Sequence, residues 1–131
     1  MRLPIQLSKQ SREPIYHQIE TQIKALIASG TLAADTPLPS IRALAKDLEV
    51  SAITTRRVYQ NLEQDGFTTT VQGKGTFVKA INKDVKKEIE EKAISESFKR
   101  SIQIARGYNY TDEDIKQLFK LTLQKEANDN E

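Results

Sequence analysis

The stretch Leu38–Val78, "LPSIRALAKDLEVSAITTRRVYQNLEQDGFTTTVQGKGTFV", decides the fold. Ser40, directly after Pro39, is a good N-cap, and Ile41, Leu44, Ala45 and Leu48 recur at the spacing of one helical face. Glu49 and Val50 separate this short helix from Ser51, a second N-cap, which opens a helix whose inner face reads Thr55, Val58, Tyr59 and Leu62. Asp65-Gly66 ends it. Phe67 to Val71 and Thr76 to Val78 are β-branched and aromatic, hence strands, and Gln72-Gly73-Lys74-Gly75 connects them as a tight hairpin with glycine where positive φ is needed. Two short helices joined by a brief turn make a helix-turn-helix, and the hairpin that follows makes it winged.

Working outward, Pro14 stands where a first helical position would, and Ile15, Ile19, Ile23, Leu26 and Ile27 form one apolar stripe that ends at Ser29-Gly30. Thr31 to Pro39 is then a connection, with Thr36-Pro37-Leu38-Pro39 extended by its two prolines. Beyond Asn82 the composition shifts to a long charged helix, Lys83 to Arg106, carrying Val85, Ile89, Ala93, Ile94, Phe98, Ile102 and Ala105, which Gly107 is expected to stop. Thr111 caps a last helix with Asp112, Glu113 and Asp114 in its first turn, where the helix dipole favours anions, and with Ile115, Leu118, Phe119 and Thr122 as its apolar face. The end, "KEANDNE", is expected to fray.

The fold class this implies is α+β: an N-terminal winged helix-turn-helix of three helices plus a β-hairpin wing over residues 1–80, then a small two-helix region over residues 81–131. The last two helices cannot bury both stripes against each other. A second copy of the chain is the simplest cover, so Ile94, Phe98, Ile102, Tyr108, Tyr110, Ile115, Leu118 and Phe119 are the candidate dimerisation residues. Tyr108 and Tyr110, flanking the last turn, suit either that interface or a small effector pocket, the interface being preferred.

Composition narrows the function. No stretch of the 131 residues approaches the apolar length of a membrane span, the N-terminus has no signal-like core, and there is no cysteine, so a cytoplasmic protein without membrane contact is expected. The net charge is +2, with ten Lys and Arg against seven Asp and Glu in residues 1–80 and ten against eleven beyond, a weak bias of the first part toward an anionic partner. The single histidine, His17, has no Cys, Asp or Glu cluster at metal-ligand spacing, and Glu88-Glu90-Glu91 and Asp112-Glu113-Asp114 fit solvated helix faces. Neither an enzyme nor a metal or other cofactor is indicated.

The run Leu38-Pro39-Ser40, then Arg42 and Leu44-Ala45, with Asp65-Gly66 and Gly73-Lys74-Gly75-Thr76-Phe77-Val78 at this spacing, resembles the GntR family of bacterial transcription regulators. A tail of about 50 residues read as two helices resembles its YtrA subfamily, since other subfamilies carry larger effector-binding domains. The resemblance implies a homodimer on an inverted-repeat operator, usually as a repressor and often of an ABC-transporter operon. It also makes the position of Arg42 a DNA contact. Two positions depart from the pattern: Ala52, where arginine is frequent, and Glu49, where glycine is usual at the turn.

In such a motif the start of the second helix meets base edges in the major groove. Its outward residues are Ser51, Ala52, Ile53, Thr54, Arg56 and Arg57. Either arginine can donate two hydrogen bonds to guanine or grip a phosphate, Ser51 and Thr54 can bond phosphates, and Ala52 and Ile53 can offer only apolar contact, as to thymine methyls. At the wing tip Gly73 and Gly75 clear side chains from a backbone that presses on DNA, Lys74 supplies charge, and Gln72 can read the minor-groove edge. The competing expectation is a winged helix used only for protein contacts.

Overall fold

The computed structural model describes residues 2–130; Met1 and Glu131, the two ends of the expected segments, lie outside the described residues. The chain runs α1 (Ile15–Ala28), α2 (Ile41–Leu48), α3 (Ala52–Gln64), β1 (Thr68–Val71), β2 (Gly75–Val78), α4 (Lys83–Gly107) and α5 (Asp112–Asp129). It divides into two compact units, one through Glu91 and one from Lys92.

In the first unit, α1, α2 and α3 pool their stripes into one core. Ile19, Ile23, Leu44, Val58 and Leu62 are fully buried, joined by Leu38, Tyr59, Phe67 and Val78. Ser40 and Ser51 cap as the sequence suggests, each accepting the backbone N–H three residues on (Ala43 and Thr54, both at 3.0 Å). Pro14 sits one place earlier than read, at the N-cap of α1, its carbonyl accepting from Gln18 N–H at 3.1 Å.

The wing differs from its sequence reading in two respects. Gly75 belongs to β2, paired with Val71, so only Gln72, Gly73 and Lys74 form the loop. The Lys74 N–H donates to the Val71 carbonyl at 2.9 Å with Gly73 at φ +81°, the geometry of a type II turn, which closes the hairpin one residue sooner. Phe67 stays outside β1, buried, with its N–H on Leu62 and its carbonyl accepting from Lys79. The proline-rich connection also does more than span a gap. Pro37 bridges Phe77, while Leu38 N–H donates to Thr76 and Val78 N–H to Thr36 at 2.8 and 2.9 Å, adding an edge line to β2. A proline at such an edge costs no ladder bond.

Two further pieces complete the unit. The segment before α1 buries Leu3, and the side-chain amides of Gln18 and Gln22 clasp its backbone: Gln22 Oε1 accepts from Gln6 N–H at 2.9 Å while its Nε2 donates to the Gln6 carbonyl at 2.7 Å, and Gln18 makes the same pair with Ser8 at 2.9 and 3.0 Å. At the other end Ile81, Val85 and Ile89 pack on the core, so the first turns of α4 serve the winged helix.

One buried side-chain polar atom lacks a partner among the described residues, the Thr68 hydroxyl. Desolvating a hydroxyl without a hydrogen bond costs about 1–3 kcal/mol, so Thr68→Val, which keeps the branched shape, is expected to stabilise the unit by about 1 kcal/mol. A higher urea midpoint with unchanged slope would show it. A midpoint that falls would mean that the hydroxyl is satisfied.

In the second unit Phe98 and Phe119 meet edge to face, centroids 5.6 Å apart and rings at 82°. Thr111 and Asp114 form a reciprocal capping box, and the Thr111 hydrogen bonds, backbone first, hold the Asp114 carboxyl below the usual carboxylate range. Gly107 does not stop α4: it stays helical, and Asn109 takes the left-handed φ of +64° that ends the helix. Asparagine tolerates that region because its short amide can bond locally. Likewise α5 continues through Asp129, into the stretch expected to fray.

Candidate nucleic-acid interface

The outward half of α3 is built by what its inner half does. Thr55, Val58, Tyr59 and Leu62 are all buried, and the Tyr59 hydroxyl donates to the Pro39 carbonyl at 2.6 Å, tying α3 to the start of α2. Burial pushes the Tyr59 pKa far above its ordinary value, so the phenol stays a neutral donor. Between the helices, Glu49 holds the left-handed geometry (φ 56°, ψ 45°) where glycine is usual, and Val50 N–H closes on the Ala45 carbonyl at 3.0 Å. A non-glycine residue there costs on the order of 1 kcal/mol, so the turn is kept by packing on either side rather than by its own preference.

With the inner face anchored, Ser51, Ala52, Ile53, Arg56 and Arg57 are exposed and Thr54 half-exposed. Ile53 is 78% exposed, so it does not pack against α2. The Ser51 hydroxyl is occupied twice, accepting from Thr54 N–H and donating to Thr54 Oγ1 at 2.8 Å. The proton of Thr54 is thereby left free for an acceptor outside the chain. Arg42, on α2, is exposed as well. Arg42, Arg56, Arg57 and Lys74 take part in none of the ion pairs among the described residues.

At the wing tip Gln72, Gly73, Lys74 and Gly75 are exposed. A Cβ on Gly73 or Gly75 would meet no atom within 4 Å, yet both have positive φ, +81° and +120°. Their need for glycine inside the chain is therefore conformational, and the space above them is open to whatever the wing approaches. Every candidate DNA contact lies in the first unit, and every candidate dimerisation residue in the second.

In the second unit, Ile94, Phe98, Leu118 and Phe119 are about half exposed, Ile102 and Ile115 partly covered. Tyr108 and Tyr110 line a shallow cavity of about 560 Å³ with Ser101, Ile104, Ala105 and Leu118. Ile104, Leu121 and Leu123 are also exposed apolar side chains that the sequence reading missed: Ile104 falls off the stripe of α4, whereas Leu121 and Leu123, three after Leu118 and four after Phe119, flank Thr122, which was taken as the end of the face. Tyr16 was missed too: its ring lies 3.7 Å beneath the Arg57 guanidinium, a pairing across 41 positions that no local pattern announces. No group of three His, Cys, Asp or Glu suited to a metal occurs among the described residues, and none of the described helices is long and apolar enough to cross a membrane.

The defining sequence pattern of "Bacterial regulatory proteins, gntR family" matches residues 15–78, which is α1 through β2. The HTH-type transcriptional repressor YtrA of Bacillus subtilis (strain 168) is 34% identical over 98 residues, covering 75% of each chain. The chain belongs to the GntR family. It is thus a DNA-binding transcription regulator with the winged fold, and the YtrA match places it in the YtrA subfamily. The solved YtrA of Sulfolobus acidocaldarius, described as a GntR-family transcription factor, is 37% identical with a TM-score of 0.56, covering 70% of this chain and 97% of that one. The HTH-type transcriptional repressor NagR of Bacillus subtilis is 43% identical over 72 residues, 55% of this chain but only 30% of NagR. This chain thus spans less than a third of NagR but three quarters of YtrA, and a match of 98 residues in this chain must include part of α4.

Proposed function

We propose that the protein is a dimeric repressor that binds an inverted-repeat operator, reading it with the start of α3 and gripping its backbone with the wing. The observation that carries this is the outward half of α3: an exposed isoleucine beside two arginines without acidic partners, on a helix whose other face is wholly used by the core. Arg42, Arg56 and Arg57 supply bidentate donors, Ser51 and Thr54 meet phosphate, Ala52 and Ile53 pack on thymine methyls, and Gln72, Gly73, Lys74 and Gly75 form the wing contact. With no donor at Ala52, the operator should depend less on guanine there than that of a relative with arginine.

The second unit acts as the dimerisation region. Its exposed Ile94, Phe98, Tyr108, Tyr110, Leu118 and Phe119, with the partly covered Ile102 and Ile115, make a surface more apolar than a lone helix pair keeps in water. Residues 81–131 fill this role and residues 1–80 the reading role; the working place is the cytoplasm, and the resemblance adds an ABC-transporter operon as the expected target. The shallow cavity at Tyr108 and Tyr110 is taken as part of the interface rather than as an effector site.

Fluorescence anisotropy with a duplex from the protein's own promoter and a scrambled duplex, at several salt concentrations, tests the proposal. Preferred, salt-dependent binding at two chains per duplex is expected. Equal weak binding to both, repeated with sequences selected from random DNA, would instead leave a winged helix that serves a protein partner. Within this assay Lys74→Ala should weaken binding to both duplexes alike and lower the salt slope by about one, because it removes one phosphate contact. An unchanged slope would take Lys74 out of the interface.

A further inference from the structure

Two cations among the described residues sit over aromatic rings, and their surroundings differ. Lys24 lies 5.0 Å from the centre of Phe67 and is bound to the Asp65 carboxylate at 2.9 Å, so its charge is satisfied within the chain. Arg57 lies closer, 3.7 Å from the centre of Tyr16, and has no acidic partner. A guanidinium stacked by its face keeps its N–H edge free, and a stack limits the rotamers of a side chain that is otherwise costly to order. Arg56, next to it, is given no such support.

We propose that Tyr16 is a positioning residue for DNA reading: its ring, on the first turn of α1, holds the Arg57 fork pre-aimed from α3, so that Arg57 binds DNA without first being ordered. This rests on the placement of Arg57 at the DNA proposed above. The face of the ring performs the task, and the phenolic hydroxyl is not required, since it makes no hydrogen bond among the described residues. A tyrosine in α1 thereby sets how sharply a residue 41 positions away reads its target.

The test measures operator and scrambled-duplex binding of the full chain by anisotropy for Tyr16→Phe, Tyr16→Leu, Arg57→Ala and the double variant Tyr16→Leu/Arg57→Ala. Thermal unfolding of each accompanies it. Arg57→Ala should lower operator affinity about tenfold, Tyr16→Leu about fivefold, and Tyr16→Phe less than about twofold, while Tyr16→Leu adds nothing once Arg57 is gone. Tyr16→Phe carries the test even if Tyr16→Leu unfolds, because it removes the hydroxyl and keeps the ring. Equal loss in the Phe and Leu variants would overturn the proposal in favour of a hydroxyl contact to DNA. A full Tyr16→Leu loss in the Arg57→Ala background would overturn it in favour of a role independent of Arg57. If Arg57→Ala alone changes nothing, the placement of Arg57 on DNA fails and the proposal with it.

Discussion

Leu44→Ala is expected to lower the unfolding free energy of the winged-helix unit by about 3 kcal/mol. Leu44 has no exposed surface and lies in the core cluster with Ile23, Val58 and Leu62. Truncation loses the transfer energy of its buried methyl groups and leaves a cavity that α2 and α3, pinned by their Ser40 and Ser51 caps and by the Tyr59 to Pro39 bond, cannot readily close. Because small domains are stable by only about 5–15 kcal/mol, a loss of this size takes a large fraction of the total. Urea denaturation followed by circular dichroism measures it. A loss below about 1 kcal/mol would mean that the α2–α3 packing relaxes freely, against the account of a rigid platform for the recognition helix.

Arg56→Ala is expected to do the opposite: leave stability within about 0.5 kcal/mol and lower operator affinity by about 2 kcal/mol, roughly thirtyfold. Arg56 is exposed and holds no ion pair among the described residues, so its removal deprives the fold of nothing visible. Against DNA it can place two parallel donors on guanine O6 and N7, an arrangement that lysine cannot copy. Arg56→Lys should therefore keep the salt slope and lose most of the sequence preference. If Arg56→Ala instead weakens operator and scrambled duplex by the same factor, Arg56 grips phosphate and base reading falls to Arg42, Arg57 or the apolar pair Ala52 and Ile53.

These two residues also mark which features local sequence can express. Leu44 announces itself because a helix that buries one face must repeat apolar residues at threes and fours, and the four inner residues of α3 are all where that period puts them. Ser40, Ser51 and Thr111 announce their caps because each bond closes within three residues. The oddity at Glu49 came from the family resemblance rather than from local signals, as a turn where glycine is usual and this chain has none.

Where competing local signals existed, the period alone did not choose. Gly107 looked like the stop of α4, but the stop fell to Asn109, since a glycine can remain helical and an asparagine can turn left-handed. Gly75 looked like loop and is strand, because the turn closed by Lys74 N–H on Val71 lets Gly75 pair with Val71.

By itself, then, the sequence determined the helices, their caps, the order that makes a winged helix, and the side of α3 left for a partner. The tertiary structure alone decided that Leu3 and its strap are clasped by Gln18 and Gln22, that Pro37 borders β2, that Val85 and Ile89 serve the first unit, and that Arg57 rests on Tyr16. The reason is one of range. Caps and stripes are satisfied within a turn or two of the same helix, whereas an amide clasp, an edge pairing or a stacked guanidinium joins residues far apart in sequence, and exists only once the core has brought their elements together.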